Sequence, residues 1–246
     1  MAGLISLIWM YVTAVLSGES YRGPIKIGVI LPYQPNFPWA IPFVEPAIAY
    51  AVEGIRNGTG SPILVGREIE VHTGDSQCSE TQGPLVAIDM YIERQAHVFL
   101  GPVCDYSVAP IARFSPHWNI PVITAGAMVQ AFSDKTQYRL LTRIAGSYVQ
   151  LGDCLVDIFS HFGWVVPGLI YNQNSGPRTV LGKTDCFFVM EGIYHAMQRH
   201  LARHFPNHTD IWYKGFDERS ENAFDQLEVL LRDASLNSRS KDYFWE

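Results

Sequence analysis

The sequence is poor in charge and lacks the usual signatures of catalysis. Asp, Glu, Lys and Arg make up 17% of residues, against a hydrophobic share of 48%. A chain so composed buries a core and is not a disordered segment. Acidic residues outnumber basic ones 24 to 18, for a net charge of -6. No basic surplus is available to hold a phosphate backbone, so nucleic acid is not expected as a partner. There is no G-x-S-x-G elbow, no H-E-x-x-H and no G-x-x-x-x-G-K-[ST] loop. No G-x-G-x-x-G follows the first candidate strand. Pro32–Pro42 stands there instead, rigid and aromatic, with few N–H groups to offer a dinucleotide phosphate. The chain is therefore not read as an enzyme, and no catalytic residue is assigned.

Cysteine is scarce, with four residues and no C-x-x-C pair, so no zinc site is expected. His200 and His204 are spaced i, i+4 on a candidate helix. With Arg199 and Arg203 beside them they read as a solvated face, and no metal is assigned. No apolar run reaches the roughly 20 residues that span a bilayer. The run Leu4–Leu16, followed by Ser17 and Gly18, reads as the core of a signal peptide over residues 1–20, and no membrane span is expected. Export agrees with two N-x-T acceptors for glycosylation, Asn57 and Asn207, and with cysteines that suit an oxidising compartment. The expected product is secreted.

What is present is an alternation of β-branched runs with helical spacing. Ile25–Leu31, Glu68–His72, Val98–Leu100, Pro121–Thr124 and Tyr138–Ile144 read as strands. A helix with Pro46 in its first turn carries Ile48, Ala51, Val52 and Ile55. Two more carry Leu85, Ile88 and Ile92, and Ser107–Phe114. Strands alternating with helices predict parallel β-α-β units with right-handed crossovers. Ligands then collect beyond the carboxyl ends of the strands, which singles out loops Leu31–Trp39, Thr73–Glu80, Gly101–Tyr106 and Thr124–Met128.

Near Ala145 the pattern restarts. Leu151, Leu155, Ile158 and Phe162 are expected on one buried helical face. Val165–Tyr171 reads as a strand, Asn172–Gly182 as a loop and Cys186–Phe205 as a long amphipathic helix. That helix is expected to bury Phe187, Met190, Tyr194, Met197 and Leu201. A strand at Ile211–Tyr213 and a helix inward through Phe224, Leu227, Leu230 and Leu231 complete a partial second lobe. The expected organisation is a first lobe over 25–145, a partial second lobe over 146–236 and an unstructured tail over 237–246. Cys78 and Cys104 each follow a strand at the same end of one sheet, where neighbouring strand ends come within disulfide range. Cys154 is expected to be a buried free thiol. Cys186 has no evident partner.

Several blocks together resemble the extracellular ligand-binding region of natriuretic peptide receptors, the receptor-type guanylate cyclases. They are Gly101-Pro102-Val103-Cys104-Asp105-Tyr106, Ala109-Pro110-Ile111-Ala112-Arg113-Phe114, His117-Trp118, Thr124-Ala125-Gly126-Ala127 and Cys186-Phe187-Phe188-Val189-Met190-Glu191-Gly192. Pro46–Ala51, Thr142-Arg143, Leu151-Gly152-Asp153 and Gly163-Trp164 agree, so the resemblance runs from about Ile25 to about Leu231.

The resemblance implies an α/β periplasmic-binding-protein type I fold, with a parallel sheet flanked by helices, the first lobe near complete and the second partial. It implies a peptide hormone bound between two receptor copies, hence a homodimer through the first lobe, and a Cys78–Cys104 disulfide. It points to Glu80, Tyr106, Arg113 and Glu191 for the peptide, to Asp89 and His117 for the dimer face, and to a bound chloride at Val103, Cys104 and Ser76. The family continues into a fuller second lobe, a transmembrane helix and a cyclase. The expectation is thus a truncated ectodomain of a plasma-membrane parent. An alternative, an amino-acid-type small-molecule module of the same fold, would need hydroxyls such as Thr124, Thr142 and Ser147 free in the cleft.

Overall fold

The computed structural model describes residues 23–59, 64, 66–164, 166–173, 185–204 and 211–238. The expected signal peptide, most of the expected 172–182 loop and Asn207 lie outside them.

The first part of the chain runs β1 (Ile25–Leu31), α1 (Ile41–Arg56), β2 (Ile69–Asp75), α2 (Gln82–Ile92), β3 (Val98–Leu100), α3 (Asp105–Trp118), β4 (Val122–Thr124) and β5 (Leu141–Arg143). Its five strands are all parallel, in the order β2-β1-β3-β4-β5. β1 is flanked by strands on both edges and is buried from Gly28 to Leu31, where covered faces on both sides account for the apolar GVIL stretch. Val29 and Ile30 are 1% and 0% exposed.

On one face Ile30, Phe99 and Val122 pack under Ala87 and Met90 of α2 and under Val108, Ile111 and Ala112 of α3. On the other, Val29 and Leu31 pack with Ile41, Val44 and Ile48 of α1. Gly28 lets α2 come close: a Cβ there would stand 2.9 Å from the Met90 sulfur.

The second part holds α4 (Tyr148–Phe162), β6 (Gly168–Asn172), α5 (Asp185–His204), β7 (Trp212–Phe216) and α6 (Ala223–Asn237). β6 and β7 form a two-stranded parallel sheet. Its core is separate, built from Leu169, Ile193, Met197, Leu201 and Ile211 with Leu155, Val156 and Phe159. Residues 144–147 carry the chain from β5 into α4. Ser147 caps α4: its Oγ accepts the Gln150 N–H, and its own N–H donates to Gln150 Oε1 at 2.8 Å. No helix among the described residues is long and apolar enough to cross a membrane.

Several expectations need correction. α1 starts at Ile41, so Pro42 supplies the first-turn proline and Pro46 sits inside the helix. β2 continues to Asp75, because its register with β1 runs on to Leu31. β5 has three residues; Tyr138 instead buries its ring against Phe132 before the strand begins.

α3 starts at Asp105 and continues to Trp118, so Tyr106 is helical and not in a loop. In α4 the inward face is Gly152, Leu155, Val156 and Phe159. Leu151, Ile158 and Phe162 are exposed, and so is Cys154. The helix is turned because α5 crosses at Gly152 and Gly192, where added Cβ atoms would stand 2.7–2.8 Å from Ala196 and Tyr148. The close approach puts the small residue inward and swings its neighbours out.

On α5 the buried positions include Gly192, Ile193 and Ala196 as well as the expected Met197 and Leu201. On α6, Phe224 and Leu231 face outward at 89% and 55% exposure, while Leu227 and Leu230 are half-buried. α6 runs one residue into the segment expected to lack a pattern.

Candidate ligand-binding site

The strand order reverses direction at β1, since β2 lies on one side of it and β3 on the other. The loops that leave the ends of β1 and β3 therefore part there and open a crevice, the usual place for a ligand in such sheets. Cys78 and Cys104 close a disulfide at this edge, with Cα atoms 5.5 Å apart and 26 residues between them in sequence. Their strands, expected from the sequence to be neighbours, are not. β1 lies between β2 and β3, and the bond spans its carboxyl end. The space beneath is filled by the β1–α1 loop, whose Phe37, Ala40 and Trp39 pack against both cysteines.

Hydrogen bonds tie these loops together. Asp75 Oδ1 accepts from the N–H groups of Tyr33 and Gln77, joining the first loop to the second. Gln77 and Cys78 both hold left-handed φ, which turns the Cys78 sulfur toward Cys104. Thr124 Oγ1 donates to the Pro102 carbonyl at 2.6 Å and accepts the Gly126 N–H at 2.9 Å. Gly101 has φ +91° and lies where a Cβ would meet the Ile30 carbonyl at 2.3 Å, so only glycine fits. Two of the hydroxyls that a small-molecule site would need are thus engaged elsewhere: Thr124 bonds loops together and Ser147 caps α4.

The peptide candidates separate into two groups. Glu80 is exposed just after Cys78, and Tyr106 is half-buried in the first turn of α3. The Tyr106 ring lies 6.0 Å from that of Phe188 on α5, so Tyr106 faces the second lobe. Glu191, half-buried on α5, belongs to that same lobe. Arg113 lies two turns along α3, about 10 Å from Tyr106 at 1.5 Å per residue, with its guanidinium 5.2 Å from the Tyr138 ring centre.

Tyr106, Arg113 and His117 occupy one stripe of α3, by their spacing of 7 and 4. The stripe ends in an apolar surface. Trp118 stacks on exposed Tyr91 of α2 at 5.1 Å and meets exposed Phe114 of α3 at 5.6 Å, and Leu85 and Ile92 of α2 are exposed as well. Asp89 and His117 are exposed on the same two helices.

The chloride candidates sit beneath the disulfide. Ser76 is fully buried, and its Oγ accepts the Cys78 N–H at 3.3 Å. The Oγ of fully buried Ser107 has no hydrogen-bond partner among the described residues. A Cβ on Gly83 would lie 1.9 Å from that Oγ and 3.6 Å from the Ser76 Cβ. A spare hydroxyl between the starts of α2 and α3, where backbone N–H groups point outward, suits a small anion. Val103 and Cys104 immediately precede α3.

Three residues that the sequence did not single out belong to the gap between the lobes. Burial, and next the charge of Asp185, push Asp105 up to about 7. Burial raises Asp185 as well. Tyr148 is pushed above its ordinary range by burial, then by Asp185, Asp105 and Cys186. An acidic residue beside a cysteine at each helix start was legible; that the charge of Asp185 acts on Asp105 was not. Elsewhere, His200 and His204 lie 4.8 Å apart, and no cluster able to hold a metal occurs among the described residues. Asn57 is exposed at the end of α1.

A parallel sheet with a disulfide across one end, facing a second α/β lobe, defines a two-lobed α/β module. A family described as "Receptor family ligand binding region" matches residues 43–185, from α1 to the start of α5. The chain belongs to this family, and its fold is the periplasmic-binding-protein-like type I fold.

It is similar to human atrial natriuretic peptide receptor 3, with 31% identity over 87% of this chain and 38% of that protein. The bovine receptor 3 is 33% identical over the same shares. Human atrial natriuretic peptide receptor 2 is 34% identical over 71% of this chain and 16% of its own length. The chain thus spans well under half of the curated relatives it matches, and what it matches is their ligand-binding region.

Proposed function

We propose that the chain is an extracellular ligand-binding region that recognises a peptide hormone at the crevice between the first sheet and α5. The observation that carries this reading is the Cys78–Cys104 bond across the end of β1. It ties the loop bearing Glu80 to the start of α3, whose first turn bears Tyr106, at the strand-order switch, with the Tyr106 ring turned toward the second lobe. Preorganised loops lower the ordering cost of binding a flexible peptide. An oxidised pair of cysteines agrees with an extracellular setting.

In this reading Tyr106, Glu80, Arg113 and Glu191 contact the peptide. A second copy covers the α2–α3 surface, where Leu85, Tyr91, Ile92 and Phe114 are exposed around Asp89 and His117. An apolar patch rimmed by such groups is the kind of surface that a partner buries. A chloride ion at Ser76, Val103 and Cys104, with Ser107 beside it, steadies the same edge.

The test is calorimetric titration of the secreted chain with natriuretic-type peptides. Saturable binding that Tyr106→Ala weakens at least tenfold supports the reading. Folded wild type with no saturable binding at 100-fold molar excess overturns it. For the dimer, sedimentation of His117→Glu should give monomer at concentrations where wild type associates. For the anion, exchanging chloride for gluconate should lower the melting temperature of wild type more than that of Ser76→Ala.

A further inference from the structure

α4 turns an apolar stripe to solvent that its own lobe does not use. Leu151, Cys154, Ile158 and Phe162 follow one another at helical spacing, so they lie along one side of the helix. Leu151, Ile158, Phe162 and Trp164, which stacks on Phe162 at 4.9 Å, are 41–60% exposed. Cys154 is exposed among them, and its thiol is free. The stripe itself holds no charged residue. Asp153 is drawn aside to Arg199 of α5, at 3.0 Å. Two copies of a chain with net charge -6 can thus meet along this line without setting a carboxylate in its middle.

The stripe is self-complementary. Leu151 and Ile158 stand about 5 Å on either side of the point between Cys154 and Leu155, at 1.5 Å per residue. Antiparallel helices related by a two-fold axis through that point set Leu151 of each copy against the partner's Ile158. With helix axes about 8–10 Å apart, the two Cys154 Cα atoms come within about 5–7 Å, a span that a disulfide bridges. The contact is small. A helix about 22 Å long with a stripe about 10 Å wide offers each copy about 220 Å², against about 800 Å² in a stable interface. Side chains alone would not hold two copies together; a covalent bond near the centre of the stripe would.

We propose that α4 is a contact between two copies of this chain, closed by a Cys154–Cys154 disulfide near the two-fold axis. The oxidant is a small-molecule disulfide. The Cys154 thiolate attacks it, forms a mixed disulfide and expels one small thiolate. The partner's Cys154 thiolate then attacks the protein sulfur of that mixed disulfide and expels the second. Two protein thiols are oxidised and one disulfide is reduced to two thiols, which take up the two protons that the cysteines lose. The apolar stripe acts before the chemistry, by holding two thiols side by side long enough to react.

The experiment uses the secreted chain carrying His117→Glu, which keeps association through the first lobe out of the readout, in a glutathione redox buffer. Non-reducing electrophoresis is expected to show a dimer that dithiothreitol reverses, and peptide mass spectrometry a Cys154–Cys154 linkage. Cys154→Ala should abolish the dimer, and Cys186→Ala should leave it. Leu151→Asp and Ile158→Asp change exposed positions and keep the thiol; each should slow dimer formation at least tenfold, which a merely reactive thiol would not show. Linkage through Cys186, Cys154 found only as a mixed disulfide with glutathione, or a rate that both aspartate variants leave unchanged overturns the proposal.

Discussion

Replacing Cys78 and Cys104 together with alanine removes the one covalent tie across the end of β1. The loop it closes spans 26 residues. Loop-closure entropy for that length, about 12 cal/mol/K, corresponds to about 3.5 kcal/mol at 25 °C. Alanine is chosen over serine because Cys78 is buried against Phe37 and Ala40, and a hydroxyl there would lack a partner.

Because each lobe has its own core, the loss must be read in the first lobe alone. Hydrogen exchange of peptides covering β1 and β3, followed by mass spectrometry, does this. Protection of Val29, Ile30 and Phe99 amides should fall by about 2.5 orders of magnitude, the equivalent of about 3.5 kcal/mol at 1.4 kcal/mol per tenfold. Peptides from β6 and α5 should be unchanged. A fall of less than tenfold in β1, or an equal fall in both lobes, would refute the argument that the bond stabilises the first sheet by restraining its unfolded chain.

Other consequences are checked by similar means. Ser147→Ala removes the capping box of α4 and should cost about 1 kcal/mol in urea unfolding, followed by exchange at Leu155 and Phe159. Gly192→Ala drives a methyl onto the Tyr148 backbone at 2.8 Å; the helix crossing should lose about 1–3 kcal/mol, seen as a lower melting point of the second lobe. Gly101→Ala should fold poorly, since its φ is left-handed and the Ile30 carbonyl occupies the methyl position; secreted yield near that of wild type would count against this. Asp105 is raised by burial and by Asp185, so the folded chain holds a proton that the unfolded chain has released. Stability should therefore fall as pH rises from about 4 to about 7 and level off beyond, with a shallower fall in Asp105→Asn melts.

The first lobe was largely legible. β1 and β3 fall where β-branched runs place them, because the strand segments covered on both faces, such as Gly28–Leu31, are apolar throughout. The block around Cys104 was distinct enough to carry a family resemblance. Helix phase in the second lobe was less legible. Leu151, Ile158 and Phe162 form as good an apolar stripe as Leu155, Val156 and Phe159. What selects the second stripe is the crossing of α5 at Gly152 and Gly192, a contact between segments about 40 residues apart. Cys154 follows the same rotation, which is why it lies exposed.

Taken alone, the order of residues determined that this is an alternating α/β chain of the receptor ligand-binding family with a sulfur bridge at one end of a sheet. These are properties of local period and of motifs contiguous in sequence. Tertiary structure alone decided that the bridge vaults over β1, that Ser107 keeps a buried hydroxyl with no partner among the described residues, and that the charge of Asp185 acts on Asp105. Strand order and helix crossing bring together groups far apart in the chain, and no local pattern encodes which of them will share the same few ångströms.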